Sequence, residues 1–157
     1  MKISIIYDSD TGNTKKLADE ISRMFEEKTN IEYSDIVFIW SWTDKWIPTL
    51  RIQEELKKLK NKKIFYFGTC GFGGSEEYFN LLFERVKEYI DESNEILGYY
   101  YCQGRMPEMV KKRYEKMLEE NPNDEKVKQS IENYEEALKH PNTKDLEDLR
   151  NKIKSIL

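Results

Sequence analysis

The feature that most constrains the fold is an alternation. Short apolar runs (Lys2–Tyr7, Asp35–Trp40, Ile64–Phe67 and Glu95–Cys102) are each followed by a turn-rich segment and then by apolar residues at helical spacing. The runs are apolar on both faces, as expected for strands covered from both sides in a parallel sheet. Leu17, Ala18, Ile21, Met24 and Phe25 form the first helical stripe. Pro48 opens a second helix carrying Leu50, Ile52, Leu56 and Leu59. Ser75 caps a third, with Tyr78, Leu81, Leu82, Val86 and Ile90 inward. From Pro107 the chain reads as helix, broken at Asn121-Pro122-Asn123 and His140-Pro141-Asn142. Strands alternating with helices build βαβ units with right-handed crossovers, hence an α/β fold with a parallel sheet. A chain of 157 residues suits one domain, spanning 1–157.

Charge narrows the partners. With 26 basic against 30 acidic residues and a net charge of −4, no basic field exists to gather phosphates, so nucleic acid is not expected. No apolar run approaches the roughly 18 residues that span a bilayer, and the N-terminus turns polar at Asp8 without a secretory pattern. Cys70 and Cys102, the two cysteines, read as reduced thiols of a cytoplasmic protein; a redox pair is the alternative.

Ligands of parallel α/β sheets sit beyond the carboxyl ends of the strands, and here those ends carry unusual loops. The first, Ser9-Asp10-Thr11-Gly12-Asn13-Thr14, joins a strand to a helix and is crowded with hydroxyl and amide groups. With the helix dipole behind it, such a loop suits a phosphate, and Gly12 leaves room for the anion. It lacks the spacing of a Walker P-loop. The second, Trp40-Ser41-Trp42-Thr43-Asp44-Lys45-Trp46, holds all three tryptophans of the chain. These indoles either line a ligand or close the end of the sheet. The third, Gly68-Thr69-Cys70-Gly71-Phe72-Gly73-Gly74, is glycine-rich enough for the main chain to approach a flat group closely.

Ser-x-Thr-Gly-Asn-Thr directly after the first strand resembles the phosphate loop of the flavodoxin family. The resemblance implies a three-layer sandwich of strand order 2-1-3-4-5 and an FMN cofactor. Carried over by position, Ser9, Thr11, Gly12, Asn13 and Thr14 would hold the phosphate, with Asp10 among them in the cofactor-binding loop. Ser41, Trp42, Thr43 and Asp44 would meet one side of the isoalloxazine ring, with Trp42 stacking on it. Thr69, Cys70, Gly71, Phe72 and Gly73 would meet the pyrimidine edge. Phe67-Gly68-Thr69, Asn94 to Gly98, Cys102-Gln103-Gly104-Arg105 and Lys139 to Asn142 resemble more narrowly the flavodoxin-domain proteins of anaerobic bacteria. That subgroup includes a flavodoxin-like subunit associated with bilirubin reduction. Arg105 stands where Lys is usual there, and Trp46 where Gly is usual. Gln103 and Arg105 are expected at the mouth of the site, or else paired with backbone and a surface acid.

Two departures from an ordinary member of the family stand out. About ten residues separate the first helix from Asp35, so the second strand is expected to be vestigial or absent, a stub at Ile31 and Tyr33 at best. A helical insert, 107–139, precedes the last helix and carries Met106, Met109, Val110, Tyr114, Met117 and Leu118 as an apolar stripe near the flavin mouth. Nothing in the sequence combines a nucleophile with its base. The expected function is therefore electron transfer by bound FMN, with redox partner proteins docking near the flavin edge. The alternative is a flavin-dependent reductase or reductase subunit acting on a small molecule. A phospho-acceptor domain would use Asp8, Asp10 and Asp44 around a cation, with no role for the tryptophans. The second loop lacks glycine, so turning a peptide there toward the flavin would force a side chain into a costly backbone region.

Overall fold

The computed structural model describes residues 1–8 and 12–157, without the side chains of Thr14 and Asp44. Among the described residues six strands form: β1 (Lys2–Tyr7), β2 (Glu27–Lys28), β3 (Ile36–Asp44), β4 (Ile47–Pro48), β5 (Lys63–Cys70) and β6 (Glu95–Gln103). The helices are α1 (Asn13–Met24), α2 (Leu50–Lys58), α3 (Glu76–Lys87), α4 (Glu108–Glu120), α5 (Glu125–Ala137) and α6 (Thr143–Ile156). The sheet runs β2-β1-β3-β5-β6, all parallel, with β4 antiparallel beside β3. Setting aside β4, this is the expected 2-1-3-4-5 order.

Alternation along β3 builds both cores. Val37 and Ile39 face α2 and α3, where Ile52, Leu56, Leu82, Phe83 and Val86 are buried. Ile36, Phe38 and Trp40 face α1 and α6, meeting Leu17, Ile21, Leu149 and Ile153. Two layers of helices thus sandwich one sheet. Helix periodicity placed most inward residues correctly, but Leu50 and Leu81 are exposed and Phe83 takes the inner position on α3.

The vestigial second strand is present at another place. Glu27 and Lys28 pair with Lys2 and Ile3, whereas Ile31–Tyr33 forms a single 3-10 turn. A second correction concerns the tryptophan segment. It is not a loop: β3 continues through it, with Ser41 opposite Gly68 and Trp42 opposite Thr69, and then reverses into β4. Pro48 therefore lies in β4, and Thr49 caps α2 by accepting from the Ile52 N–H. The reversal takes only Lys45 and Trp46, at φ 47° and 75°. Two-residue turns with both φ positive suit the strand twist but favour Asn and Gly. A bulky residue there costs about 1–3 kcal/mol. The Trp46 indole meets the Tyr78 ring edge-on at 5.3 Å, offsetting part of that cost.

The insert forms a helical hairpin, as expected from Asn121-Pro122-Asn123. Helix α4 buries no residue, while α5 buries Val127, Tyr134 and Ala137. Asn142 and Asp145 form a reciprocal capping box at the start of α6, and the Asp145 carboxylate also holds His140 Nδ1 at 2.7 Å. His140 is accordingly structural.

Helices α1 and α6 are clamped by the buried Glu20, whose carboxylate accepts from Arg150 at 2.5 Å and from Arg23 at 3.3 Å. Glu20→Ala is expected to lower stability by about 1.5–3 kcal/mol, the range for hydrogen bonds to charged groups. A urea midpoint shifted down at unchanged slope would show it; an unmoved midpoint would contradict the clamp.

Candidate functional site

At the carboxyl ends of β3, β5 and β6 the structure opens a cleft of about 410 Å³. Trp42, Thr43, Thr69, Cys70, Gly71 and Phe72, six of the residues expected from sequence, line it together. So do Lys45, Trp46, Tyr78, Gly104, Arg105, Met106, Pro107 and Val110. The volume falls within the roughly 300–1,000 Å³ of small-molecule and cofactor sites. Its walls are largely aromatic and aliphatic, with hydroxyls at Thr43 and Thr69 and cations at Lys45 and Arg105.

The other expected residues are placed as follows. Ser9, Asp10 and Thr11 lie outside the described residues, as do the side chains of Thr14 and Asp44. Gly12 precedes α1 at φ 73°, a conformation natural to glycine, and Asn13 is buried at the first helical position. No side chain caps α1 among the described residues, and its first turn carries no acid. A helix N-terminus of this kind carries the positive end of the helix dipole. Ser41 is fully buried away from the cleft: its hydroxyl donates to the Trp42 carbonyl at 2.7 Å and accepts from the Thr49 N–H at 3.0 Å. Gly73 lines a separate groove behind the loop, beside Tyr100 and Gln103.

The three tryptophans divide. Trp40 is core, at 1% exposure. Trp42 packs partly against the α1 and α6 layer while lining the cleft, and Trp46 forms the half-exposed outer wall. Among the described residues the buried Nε1–H groups of Trp40 and Trp42 have no acceptor. Buried donors are nearly always paired, so these two indoles stand out at this end of the sheet. At the cleft itself, among the described residues, the Phe72 N–H meets no acceptor. A side chain at Gly71 would stand 2.5 Å from the Met106 sulfur and fill the cradle.

Sequence reasoning left Gln103 and Arg105 between the site mouth and internal pairing. Gln103 is buried, and its amide donates to the Gly71 carbonyl at 2.9 Å and to Asn133 Oδ1 at 3.1 Å. Arg105 lines the cleft while its Nε–H donates to the Leu138 carbonyl at 3.0 Å, so its backbone partner is a helix end and not a surface acid. The wall residues missed from sequence had faint signals. Trp46 stood where glycine was expected, Tyr78 was read only as a core residue, and Met106 and Val110 were part of the insert's apolar stripe.

Cys70 and Cys102 belong to opposite cores, since Cys102 pairs with Thr69 and Cys70 with Gln103 in the ladder. Successive side chains of a strand face opposite ways, so these thiols do not form a redox pair. Burial pushes the Cys70 thiol up to about 12 and raises Cys102 as well. Asp8 accepts from the Thr49 hydroxyl at 3.0 Å and pairs with Arg51 at 3.4 Å, bracing the end of β1 against α2. No group of three acid, His or Cys side chains suited to a metal occurs among the described residues. Nor is any helix among them long and apolar enough to cross a membrane.

Comparison with known proteins places these features. The model of a family described as "Flavodoxin domain" matches residues 4–154. A flavodoxin-like domain-containing protein BilS of Clostridioides difficile (strain CD3) is 35% identical over 159 residues, covering 93% of this chain and 90% of that one. A protein of the same description from Clostridium symbiosum (strain WAL-14163) is 31% identical, with the same coverages of 93% and 90%. Among solved structures, a flavoprotein in complex with FMN from Lactobacillus acidophilus NCFM superposes with a TM-score of 0.52 at 17% identity. It covers 64% of this chain and 93% of its own, a likeness of fold.

The thiols generate a prediction. With both groups protonated and enclosed, the native protein at pH 8 should react with a thiol reagent at least about a hundredfold more slowly than in denaturant, where two thiols appear. Fast native labelling, or a protein mass showing an internal disulfide after mild oxidation, would contradict the assignment.

Proposed function

Because the chain belongs to the flavodoxin-domain family, we propose that it binds one FMN and serves as an electron-transfer protein. The observation that carries this reading is the convergence of three strand-end segments on one aromatic cleft. In this reading Ser9, Asp10, Thr11, Gly12, Asn13 and Thr14 hold the phosphate through hydroxyls and backbone N–H groups. Trp42, Thr43 and Asp44 meet the ring from β3, with Ser41 fixing that strand from behind. Thr69, Cys70, Gly71 and Phe72 meet it from β5, and Gly73 gives the loop its close approach to Gln103. Trp46 and Tyr78 add an outer aromatic wall. FMN supplies the redox chemistry, and the protein supplies binding, orientation and electrostatics.

Several properties of the residues fit that cofactor. The ring needs a flat apolar slot with polar groups at its edges, which the cleft walls, Thr43, Thr69 and the Phe72 N–H provide. Lys45 and Arg105 favour added electrons on whatever occupies the cleft, opposing the acids Asp10, Asp44, Glu76 and Glu77. The left-handed conformation expected to be costly in this segment is already held by Lys45 and Trp46, so its cost is part of the resting fold.

The proposal extends to a single domain over residues 1–157, a cytoplasmic location, and redox partner proteins docking at the cleft mouth without nucleic acid or membrane. The exposed Phe72, Trp46 and Met109 offer that mouth an apolar rim. A second reading, a flavin-dependent reductase or reductase subunit, is favoured by Met106, Pro107 and Val110, which enclose the cleft on the insert side.

The test is a titration of the purified protein with FMN and with riboflavin, followed by visible absorption and fluorescence. Saturable 1:1 binding is expected, with Asn13→Ala and Thr11→Ala weakening FMN about tenfold or more while sparing riboflavin. Trp42→Ala should weaken both. The loaded protein alone should oxidise NAD(P)H negligibly if it is a carrier; rapid turnover would favour the reductase reading. A protein that stays colourless in excess FMN would overturn both.

A further inference from the structure

The loop that closes the cleft at the end of β5 is fastened from the helical insert. Asn133, on α5, donates from Nδ2 to the Gly71 carbonyl at 3.0 Å. The same carbonyl accepts from Gln103 at 2.9 Å, and Gln103 also donates to Asn133 Oδ1 at 3.1 Å. Three polar groups from β6, α5 and the loop therefore close a triangle. The two amides divide the work without ambiguity: each supplies an N–H to one carbonyl, and the Asn133 oxygen fixes the Gln103 amide. Neighbouring bonds tie the segment after β6 to α5 and to the end of β5. Arg105 Nε donates to Leu138 at the end of α5, and the Gly104 N–H donates to the Cys70 carbonyl at 2.9 Å.

The triangle has a consequence for the peptide it grips. A trans peptide holds its C=O and N–H on opposite sides. With the Gly71 carbonyl drawn toward α5, the Phe72 N–H is turned the other way. Both Gly71 and Phe72 line the cleft, and that N–H meets no acceptor among the described residues.

We propose that Asn133 is a positioning residue for the cofactor cleft, holding the Gly71–Phe72 peptide in the one orientation that leaves its N–H available to a flavin. The inference rests on the FMN reading but adds a residue and a purpose to it: the insert sets the geometry of the cleft from behind. A partner that shifts α5 would act on the flavin through this bond.

The test compares full-length wild type with Asn133→Ala, Asn133→Asp and a control on the same helix, Glu132→Ala. Asp keeps the shape of Asn but cannot donate to the carbonyl. Losing one hydrogen bond of this kind should weaken FMN and riboflavin alike, by about 3- to 10-fold, because the defect lies away from the phosphate. The bound flavin's absorption bands should shift in Asn133→Ala and Asn133→Asp, with wild-type behaviour in Glu132→Ala. Independently of flavin, backbone ¹⁵N relaxation of the apoprotein should show residues 71–74 ordered in wild type, with order parameters falling toward about 0.6 in both variants. Unchanged loop order, or flavin affinities within twofold of wild type for both variants, would overturn the proposal. A wild type that binds neither flavin would overturn the FMN reading itself, while the relaxation arm would still decide whether Asn133 holds the loop.

Discussion

The site depends first on the pairing of β3 with β5, which runs unbroken from Ile36 opposite Lys63 to Trp42 opposite Thr69. Because the strands are parallel, α1, α2 and α3 each carry the chain back along the sheet, and the strand ends collect at one edge. Residues scattered from 42 to 110 in sequence therefore share one cleft. The same pairing buries Trp40 and Ser41 and leaves Trp42 as the first indole able to meet a ligand. It also explains why the thiols of Cys70 and Cys102 part company: adjacent rungs of the next ladder point to opposite faces.

Around that rigid pairing the chain spends stability at the rim. Lys45 and Trp46 occupy left-handed positions that glycine would fill at little cost, and among the described residues the Trp42 indole N–H is buried without an acceptor. Strain and unpaired donors collect at ligand sites because a bound group can repay them. The insert supplies what the short second strand does not: α5 braces the β5 loop, and the residues leading into α4 wall the cleft. An electron carrier needs only an exposed ring edge. The extra wall is what gives the reductase reading its substance.

Much of this was legible in the sequence because strand alternation and helical spacing are local signals. The parallel sheet, the capping Ser75 and the helical hairpin after Pro107 followed from them, whereas the strand order came with the family resemblance. The first loop stood out as a string of residue types, but Ser9 to Thr11 lie outside the residues the structure describes. What escaped depended on non-local pairing. The tryptophan segment reads as a loop until Thr69 holds Trp42 in register and Pro48 pairs with Thr43. The Glu27–Lys28 stub is too short for periodicity to mark. Asn133 gave no signal at all, since a lone Asn on an amphipathic helix is ordinary until the Gly71 carbonyl lies beside it.

The central claim is that a flavin ring lies in the cleft between the ends of β3 and β5. The most direct measurement is a map of backbone amide chemical shifts as FMN is added to the ¹⁵N-labelled protein. The account predicts the largest changes at Gly12, Thr43, Thr69 and Gly71 to Gly73, with β2 and the far end of α5 unmoved. Changes confined to the groove behind Gly73, or spread evenly over the surface, would contradict it.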